Sequence, residues 1–187
     1  GVRVPQVLLA RPTGNGAGLL VMGYIPGASL AELPSEQIDD QLLAELWRQV
    51  GLLHAHRIAH HDLGGSSVVV DERHQPWLVD FDASEAMADS PALANDVAEL
   101  LVSSARIVGS ERSLAGALAG LGPGVVDLAL EQDDQSRFSM QTRDDLRADP
   151  ALWDDLRRRA GEGRPARGGS APADPIGPGS APTGEER

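Results

Sequence analysis

The spacing of hydrophobic positions in the first part of the chain changes from strand-like to helix-like. Two short apolar runs, residues 6–10 and 19–25, flank the sequence RPTGNGAG, and a glycine-asparagine-glycine cluster between such runs predicts a β-hairpin. Apolar positions then recur at helical spacing from residue 42 to residue 53. A core-facing helix is therefore predicted after Pro34, with acidic residues near its start and its end at about Arg57.

The later part of the pattern predicts a second hairpin followed by helices. Residues 68–70 and 77–81 are apolar or β-branched runs, and DERHQP forms the turn between them. Ser90 and the proline after it suit a helix start, and Ser110 can open a further helix that a Gly-Pro pair interrupts. Residues 144–160 are also predicted to be helical. The predicted fold class is α+β.

Composition changes abruptly at residue 161. Twelve of the last 27 residues are Gly or Pro, and large apolar side chains are almost absent. Such a segment buries too little surface to offset its ordering entropy, so residues 161–187 are predicted to be a disordered tail or linker. Because the chain begins at Gly1 without a methionine, we expect it to be a piece of a longer protein.

Charge and residue usage exclude several classes of function. A net charge of −12 argues against binding nucleic acid or an anionic membrane surface through bulk electrostatics. The chain has no cysteine, which excludes disulfide scaffolds, thiolate zinc sites and cysteine nucleophiles. It also lacks an apolar run long enough to span a membrane, and we expect a cytoplasmic location. All 16 basic residues are arginine, so no lysine is present for catalysis.

Two aspartates flank the second predicted hairpin in a pattern suited to phosphoryl transfer. Asp62 precedes the first strand, and Asp80 follows the strand that begins at Trp77, eighteen residues later. Transfer of phosphate from ATP needs one carboxylate to orient the attacking hydroxyl and another to hold magnesium against the phosphates. A hairpin between the two carboxylates would fix their relative position.

This arrangement resembles the protein-kinase-like superfamily at its two best-known motifs. The HHD of residues 60–62 matches the His-Arg-Asp motif, and the DFD of residues 80–82 matches Asp-Phe-Gly at the family's own spacing. The segment LLVMGYIPGASLAEL looks like the fifth strand and hinge of a kinase. Asp96 is placed like the helix-borne aspartate that hydrogen-bonds the catalytic loop in kinases. The resemblance covers roughly residues 5–125.

The resemblance implies a kinase-like fold that binds ATP and Mg²⁺ and transfers phosphate to a hydroxyl. Residues 1–28 would be a truncated N-lobe with the hinge, and residues 29–160 a mainly helical C-lobe. The roles implied for individual residues are hydroxyl orientation by Asp62, magnesium binding by Asp80, Ser67 and Asp82, nucleotide contacts by Tyr24, Ile25 and Ser67, and support of the loop by His60 and Asp96.

Within the superfamily, the chain is most similar to aminoglycoside-phosphotransferase-type and atypical bacterial kinases. Only sixteen residues separate Asp80 from Asp96, which leaves no room for a long activation segment. The run DVAELLVSSARIVGSERSLAGALAGLGPGVV also resembles the kinase-like cytoplasmic region fused to lysylphosphatidylglycerol-synthase or flippase-type transmembrane domains in actinobacteria. The implied acceptor is a small molecule or a lipid-linked substrate, and the parent could be a membrane protein.

Three departures from the family pattern keep other functions open. Ser67 stands where the family has a metal-binding asparagine, Asp82 stands where it has glycine, and the phosphate-pairing lysine is missing. A catalytically degenerate pseudokinase that serves as a regulatory or binding module of a membrane protein is the main alternative. An unrelated α+β binding domain is the other.

Overall fold

A computed structural model of the chain describes residues 1–14, 16–132 and 134–162 and has α+β architecture. The strands within these ranges are β1 (Val7–Pro12), β2 (Gly18–Met22), β3 (Gly27–Ser29), β4 (Ile58–Ala59), β5 (Val68–Asp71), β6 (Pro76–Leu78) and β7 (Glu85–Ala86). The α-helices are α1 (Asp40–Ala55), α2 (Ser90–Val108), α3 (Ser110–Leu121), α4 (Pro123–Leu130), α5 (Met140–Ala148) and α6 (Leu152–Glu162). Short 3₁₀ turns cover Leu30–Glu32, Ser35–Gln37, Gly65–Ser67 and Gln135–Arg137.

The strands form three small antiparallel sheets. β1 pairs with β2, β5 lies between β3 and β6, and β4 pairs with β7. The middle sheet joins the segment after the first hairpin to the second hairpin, with Ser29 opposite Val69 and Val69 opposite Trp77. At Gly27 a Cβ atom would lie 2.1 Å from the carbonyl oxygen of Val70, so only glycine permits this close approach.

The hydrophobic core lies between α1, α2 and the helices that follow. Asp39 caps α1 by accepting a hydrogen bond from the Leu42 amide at 2.7 Å. Trp47 is fully buried, and α3 packs closely on it because Gly116 and Gly120 present no side chain there. The largest fully buried apolar side chains are Trp47, Leu30, Ile38, Leu42, Leu43, Leu46, Leu63, Leu78, Leu100, Leu101 and Leu156.

The first hairpin, by contrast, exposes every residue of both its strands. Its exposed large apolar side chains are Val7, Leu8, Leu9, Leu19, Leu20, Val21 and Met22. In the described part of the chain, no helix combines the length and the hydrophobicity needed to cross a membrane.

The N-terminal segment ahead of this hairpin contacts the helical part of the molecule. The Leu78 amide donates to the carbonyl oxygen of Arg3 at 2.9 Å, and the Arg3 amide donates to Gln49 Oε1 at 2.6 Å. The Arg3 guanidinium pairs with Glu45 on α1. These first residues, predicted to belong to an N-lobe remnant, therefore lie against the end of β6 and the outer face of α1.

Both predicted hairpins are present, but several boundaries differ from the prediction. The second strand of the second hairpin ends at Leu78 rather than residue 81, because Asp80 adopts a left-handed conformation with φ of 63°. The helix predicted over residues 144–160 is two helices, since Pro150 cannot continue α5. α6 extends through Glu162, and residues 163–187, most of the predicted tail, lie outside the described residues.

Candidate functional site

Asp96 on α2 holds the loop that begins at His60. Its side chain is fully buried, and its two carboxylate oxygens accept hydrogen bonds from the backbone amides of His60, at 2.7 Å, and His61, at 2.8 Å. His54 Nε2 on α1 lies 3.2 Å from the same carboxylate. Hydrogen bonds to a charged group contribute about 1.5–3 kcal/mol each, so Asp96 fixes the backbone immediately before Asp62.

Asp96 belongs to a polar stripe on α2, which we define as Asp96, Glu99 and Ser103. These residues recur at helical spacing of three and four and face the same loop. The Gly65 amide donates to Ser103 Oγ at 2.7 Å. A side chain at Gly65 would meet Ser103 Oγ at 3.1 Å, which leaves little space for any other residue. The stripe therefore anchors the loop at both of its ends.

Glu99, the middle member of the stripe, is fully buried. Burial raises the pKa of Glu99 to about 7, and repulsion from Asp96 and Asp62 acts in the same direction. A hydrogen bond from the Ser139 amide opposes the rise. Because its charge interacts with that of Asp62, Glu99 belongs to the electrostatic surroundings of the candidate catalytic residue.

The sequence prediction included Asp96 but missed Glu99 and Ser103. The sequence does contain a signal for them. Glu99 and Ser103 follow Asp96 at helical spacing, on a helix face that they share with apolar positions such as Leu100. An acid in a helix is usually solvated, however, and the sequence alone did not distinguish a buried one from an exposed one.

His60 connects the loop of Asp62 to the loop of Asp80. Its ring is fully buried, with Nε2 2.9 Å from the carbonyl oxygen of Val79 and its centroid 4.7 Å from that of Phe81. A carbonyl oxygen only accepts hydrogen bonds, so Nε2 carries the hydrogen and donates it. This nitrogen is therefore a donor to the backbone rather than a proton acceptor.

Ser67 forms a second connection between the same two loops. Its hydroxyl donates to the carbonyl oxygen of Asp62 at 2.6 Å, and the Val79 amide donates to the carbonyl oxygen of Ser67 at 3.0 Å. The side chain is buried, at 2% exposure. The residues next to Asp62 and Asp80 are thus joined through one continuous hydrogen-bonded path.

The carboxylates of Asp62, Asp80 and Asp82 lie at the surface of these loops and are exposed. Asp80 has a φ of 63° and His61 a φ of 66°, a conformation uncommon outside glycine. Left-handed residues of this kind concentrate at functional sites, where the surrounding structure holds them. Both loops have such a residue at or beside a candidate carboxylate.

In the ranges that the structure describes, no group of three or more His, Asp or Glu side chains is arranged to hold a metal ion. Asp80 and Asp82 supply the hard oxygen donors that Mg²⁺ prefers. Mg²⁺ is commonly held by one or two carboxylates together with substrate phosphates and water, rather than by an all-protein cage. The two exposed carboxylates therefore suit a metal that arrives with a nucleotide.

The predicted hinge residues lie next to β3, which pairs with the strand that follows the loop of Asp62. Tyr24 is 84% exposed, and Ile25 is half-buried. Among the described residues, no hydrogen bond joins the side chain of Tyr24 to either loop. The contacts of Tyr24 and Ile25 with a nucleotide therefore stay a prediction.

A cavity of about 330 Å³ flanks the loop of Asp62 on the side of His61. His61 Nε2 lies 3.0 Å from Glu85 Oε2 on β7, and both residues line the cavity. Asn95 and Arg137 contribute an amide and a positive charge. The cavity falls within the size range of small-molecule pockets and offers polar groups of both signs.

Comparison with known proteins points to kinases. The chain is 32% identical over 124 residues, 62% of its length, to mitogen-activated protein kinase kinase 2 of Arabidopsis thaliana. It is 33% identical over 87 residues, 44% of its length, to 3-deoxy-D-manno-octulosonic acid kinase of Photobacterium profundum, and 28% identical over 87 residues to the kinase of that name in Vibrio cholerae.

The matched regions cover 34%, 37% and 37% of these three proteins, so the chain spans about a third of the length of the curated relatives that it matches. No protein-family model matches the chain. The similarities are distant, and they support a relationship to the protein-kinase-like superfamily.

Proposed function

We propose that this chain is the catalytic-loop half of a kinase-like phosphotransferase that uses ATP and Mg²⁺ to phosphorylate a hydroxyl group. One observation carries the proposal: the loop of Asp62 is anchored by the polar stripe of α2 and joined through His60 and Ser67 to the loop of Asp80. Phosphoryl transfer depends on positioned carboxylates more than on covalent chemistry, and this network holds the backbone beside Asp62 and Asp80.

Each carboxylate has a distinct role in this proposal. Asp62, exposed directly after the anchored backbone of His60 and His61, orients the acceptor hydroxyl and accepts its proton. Asp80 and Asp82 bind Mg²⁺, and ATP, when bound, would supply the phosphoryl group. Tyr24 and Ile25 contact the nucleotide. His60 positions the loops because its Nε2 is committed to Val79.

Ser67 has the least support as a metal ligand. Its hydroxyl is buried and donates to the carbonyl oxygen of Asp62 at 2.6 Å, so its established contact is internal to the loop. Direct binding of Mg²⁺ or nucleotide would use the remaining lone pairs of the same oxygen. Substitution by Ala and by Asn separates the two roles, because only Asn can restore a metal-binding oxygen.

The cavity beside His61 supports a small polar molecule as the acceptor. A volume of about 330 Å³ suits such a molecule, and Glu85, Asp89 and Arg137 in the lining can form hydrogen bonds with its hydroxyl groups. The named substrate of two bacterial relatives, an octulosonic acid, has that character. A lipid-linked acceptor is the second possibility within this proposal.

Nucleotide binding and transfer are tested on the longest gene product that contains this chain. Mg²⁺-ATP should raise its thermal midpoint, Asp80→Asn should abolish the rise, and Asp154→Asn on the exposed face of α6 should leave it intact. Asp62→Asn should keep the rise but lose phosphoryl transfer. A rise that survives Asp80→Asn contradicts the assignment of Asp80.

A binding module without catalytic activity is the second candidate function. It is favoured by the buried, internally bonded hydroxyl of Ser67 and by the lack of lysine in the chain. Such a pseudokinase would act on the cytoplasmic side of a parent protein with a membrane domain. No effect of Mg²⁺-ATP on the thermal midpoint, together with nucleotide-independent binding to a partner, would favour it over the enzyme.

A further inference from the structure

A cavity of about 660 Å³ lies on a different surface from the candidate catalytic loops. It is formed by the outer face of α1, the turn between β5 and β6, the end of α3 and the N-terminal segment. Its lining includes none of the candidate site residues. Its volume falls within the usual range for small-molecule sites.

The lining of this cavity is positive, although the chain as a whole carries −12 charges. Arg3, Arg48 and Arg73 line it together with a single carboxylate, Glu45. The hydrogen bond from Arg48 is the main cause that lowers the pKa of Glu45 to about 2, with Arg3 and Gln49 contributing and burial opposing. Glu45 is thus ionised near neutral pH, and it is the one carboxylate beside three guanidinium groups among the lining residues.

Glu45 also fixes the orientation of two of these cations. Arg48 Nε lies 2.6 Å from Glu45 Oε2, and Arg48 Nη2 lies 2.7 Å from Glu45 Oε1, a two-point contact. The Arg3 guanidinium donates to the same Oε1, and the Arg3 backbone is held by Gln49. A guanidinium has five N–H donors, so each group retains donors for a ligand.

Arg73 supplies the third guanidinium of the lining. It interacts electrostatically with the neighbouring Asp71 carboxylate, and the Arg73 backbone amide donates to Asp71 Oδ1 at 2.9 Å. That bond fixes the turn that presents the side chain. His74, next in the turn, faces the Asp39 carboxylate at 3.4 Å.

We propose that this cavity binds a small molecule through a phosphomonoester group. A phosphomonoester carries about −1.5 to −2 charges at pH 7, opposite in sign to the three guanidinium groups of the lining. Arginine forks suit phosphate oxygens, and the small Ala119 and Gly120 leave space for the rest of the ligand. Salt at physiological concentration screens charges over about 8 Å, so acids farther away than this repel the phosphate group only weakly.

The site does not depend on the proposed phosphoryl transfer, and it is tested by calorimetric titration of the 187-residue chain with glucose 6-phosphate. Saturable binding is expected for glucose 6-phosphate and none for glucose at equal ionic strength. Affinity should fall as NaCl is raised to about 0.3 M. Arg73→Gln should weaken binding by about three- to tenfold, because one charged contact is lost from a partly exposed site.

Matched variants separate a built site from a general effect of charge. Arg158→Gln, on exposed α6, makes the same change in net charge and should bind like the unaltered chain. Arg48→Gln, which also releases Glu45, should weaken binding more than Arg73→Gln. Equal binding of glucose and glucose 6-phosphate, unaltered binding by both cavity variants, or equal weakening by Arg158→Gln would each overturn the proposal.

Discussion

The first hairpin and the loop of Asp62 are both short segments next to β-strands, yet they are held in opposite ways. β1 and β2 pair with each other, and every residue in them is exposed, including Leu8 and Leu20. The loop of Asp62 instead buries Leu63 completely and is tied to α2 by buried and partly buried hydrogen bonds. Contacts with a helix thus hold the candidate loop, whereas the hairpin strands are held by pairing with each other.

The strongest test of this contrast is Asp96→Ala. It leaves the buried amide of His60 and the partly buried amide of His61 without acceptors, so the free energy of unfolding should fall by about 3–5 kcal/mol. Urea denaturation measures the change. Asp144→Ala, which removes only an exposed ion pair with Arg147, should change stability by less than about 1 kcal/mol. Similar values for the two variants would contradict the anchoring role of Asp96.

A pair of leucine truncations tests the apolar side of the comparison. Leu100→Ala removes a fully buried side chain of α2 and should cost about 2–5 kcal/mol in the free energy of unfolding. Leu20→Ala, at a position 50% exposed in β2, should change it by about 0.5 kcal/mol or less. A large cost at Leu20 would mean that the hairpin is covered in solution.

Glu99 predicts a pH dependence for the anchored region. Its pKa of about 7 in the folded chain lies above the ordinary value of 4.5, so the folded state binds the proton more tightly. Protonated Glu99 therefore adds of the order of 3 kcal/mol to the free energy of unfolding. This contribution is complete below about pH 4.5 and is lost as the pH rises through 7.

Glu99→Gln cannot ionise, so the fall in its free energy of unfolding between about pH 5 and about pH 8 should be smaller than in the unaltered chain. Denaturation at a series of pH values measures this slope. Glu131→Gln, at an exposed position, should keep the slope of the unaltered chain. Identical slopes for the Glu99 variant and the unaltered chain would show that Glu99 does not titrate in this range.

Two glycines test the close packing of α3 against α1. A Cβ at Gly120 would lie 2.5 Å from the Cβ of Trp47, so Gly120→Ala should cost about 1–3 kcal/mol through overpacking. Gly124→Ala, in α4, meets no atom within 4 Å and should leave the thermal midpoint unchanged or slightly higher. If Gly120→Ala left the free energy of unfolding unchanged, α1 and α3 could move apart without losing stability.

The sequence predicted the parts of the fold that depend on local chemistry. The Gly-Asn-Gly turn predicted the first hairpin, the helical spacing of apolar residues predicted α1, and the Gly-Pro pair after Leu121 predicted the break between α3 and α4. Pro150 was an equally local signal, and the single helix predicted across it was wrong.

Features that depend on long-range contacts were not predictable in the same way. The contact of Arg3 with Gln49 joins residues 46 apart, and the contact of Asp96 with His60 joins residues 36 apart. Only the second was expected, because a family resemblance supplied it. The left-handed conformation of Asp80 ends β6 early, and the hydrophobic pattern of residues 77–81 does not indicate it.

Titration with Mn²⁺-ATP shows whether the loops of Asp62 and Asp80 form one nucleotide-dependent metal site, as proposed. Paramagnetic broadening of amide NMR signals reports which residues lie near the metal. We expect the amide signals of residues 62–67 and 79–82 to broaden together, and this broadening to be lost in Asp80→Asn. Broadening confined to one loop, or centred on exposed acids elsewhere such as Asp154 and Asp155, would contradict it.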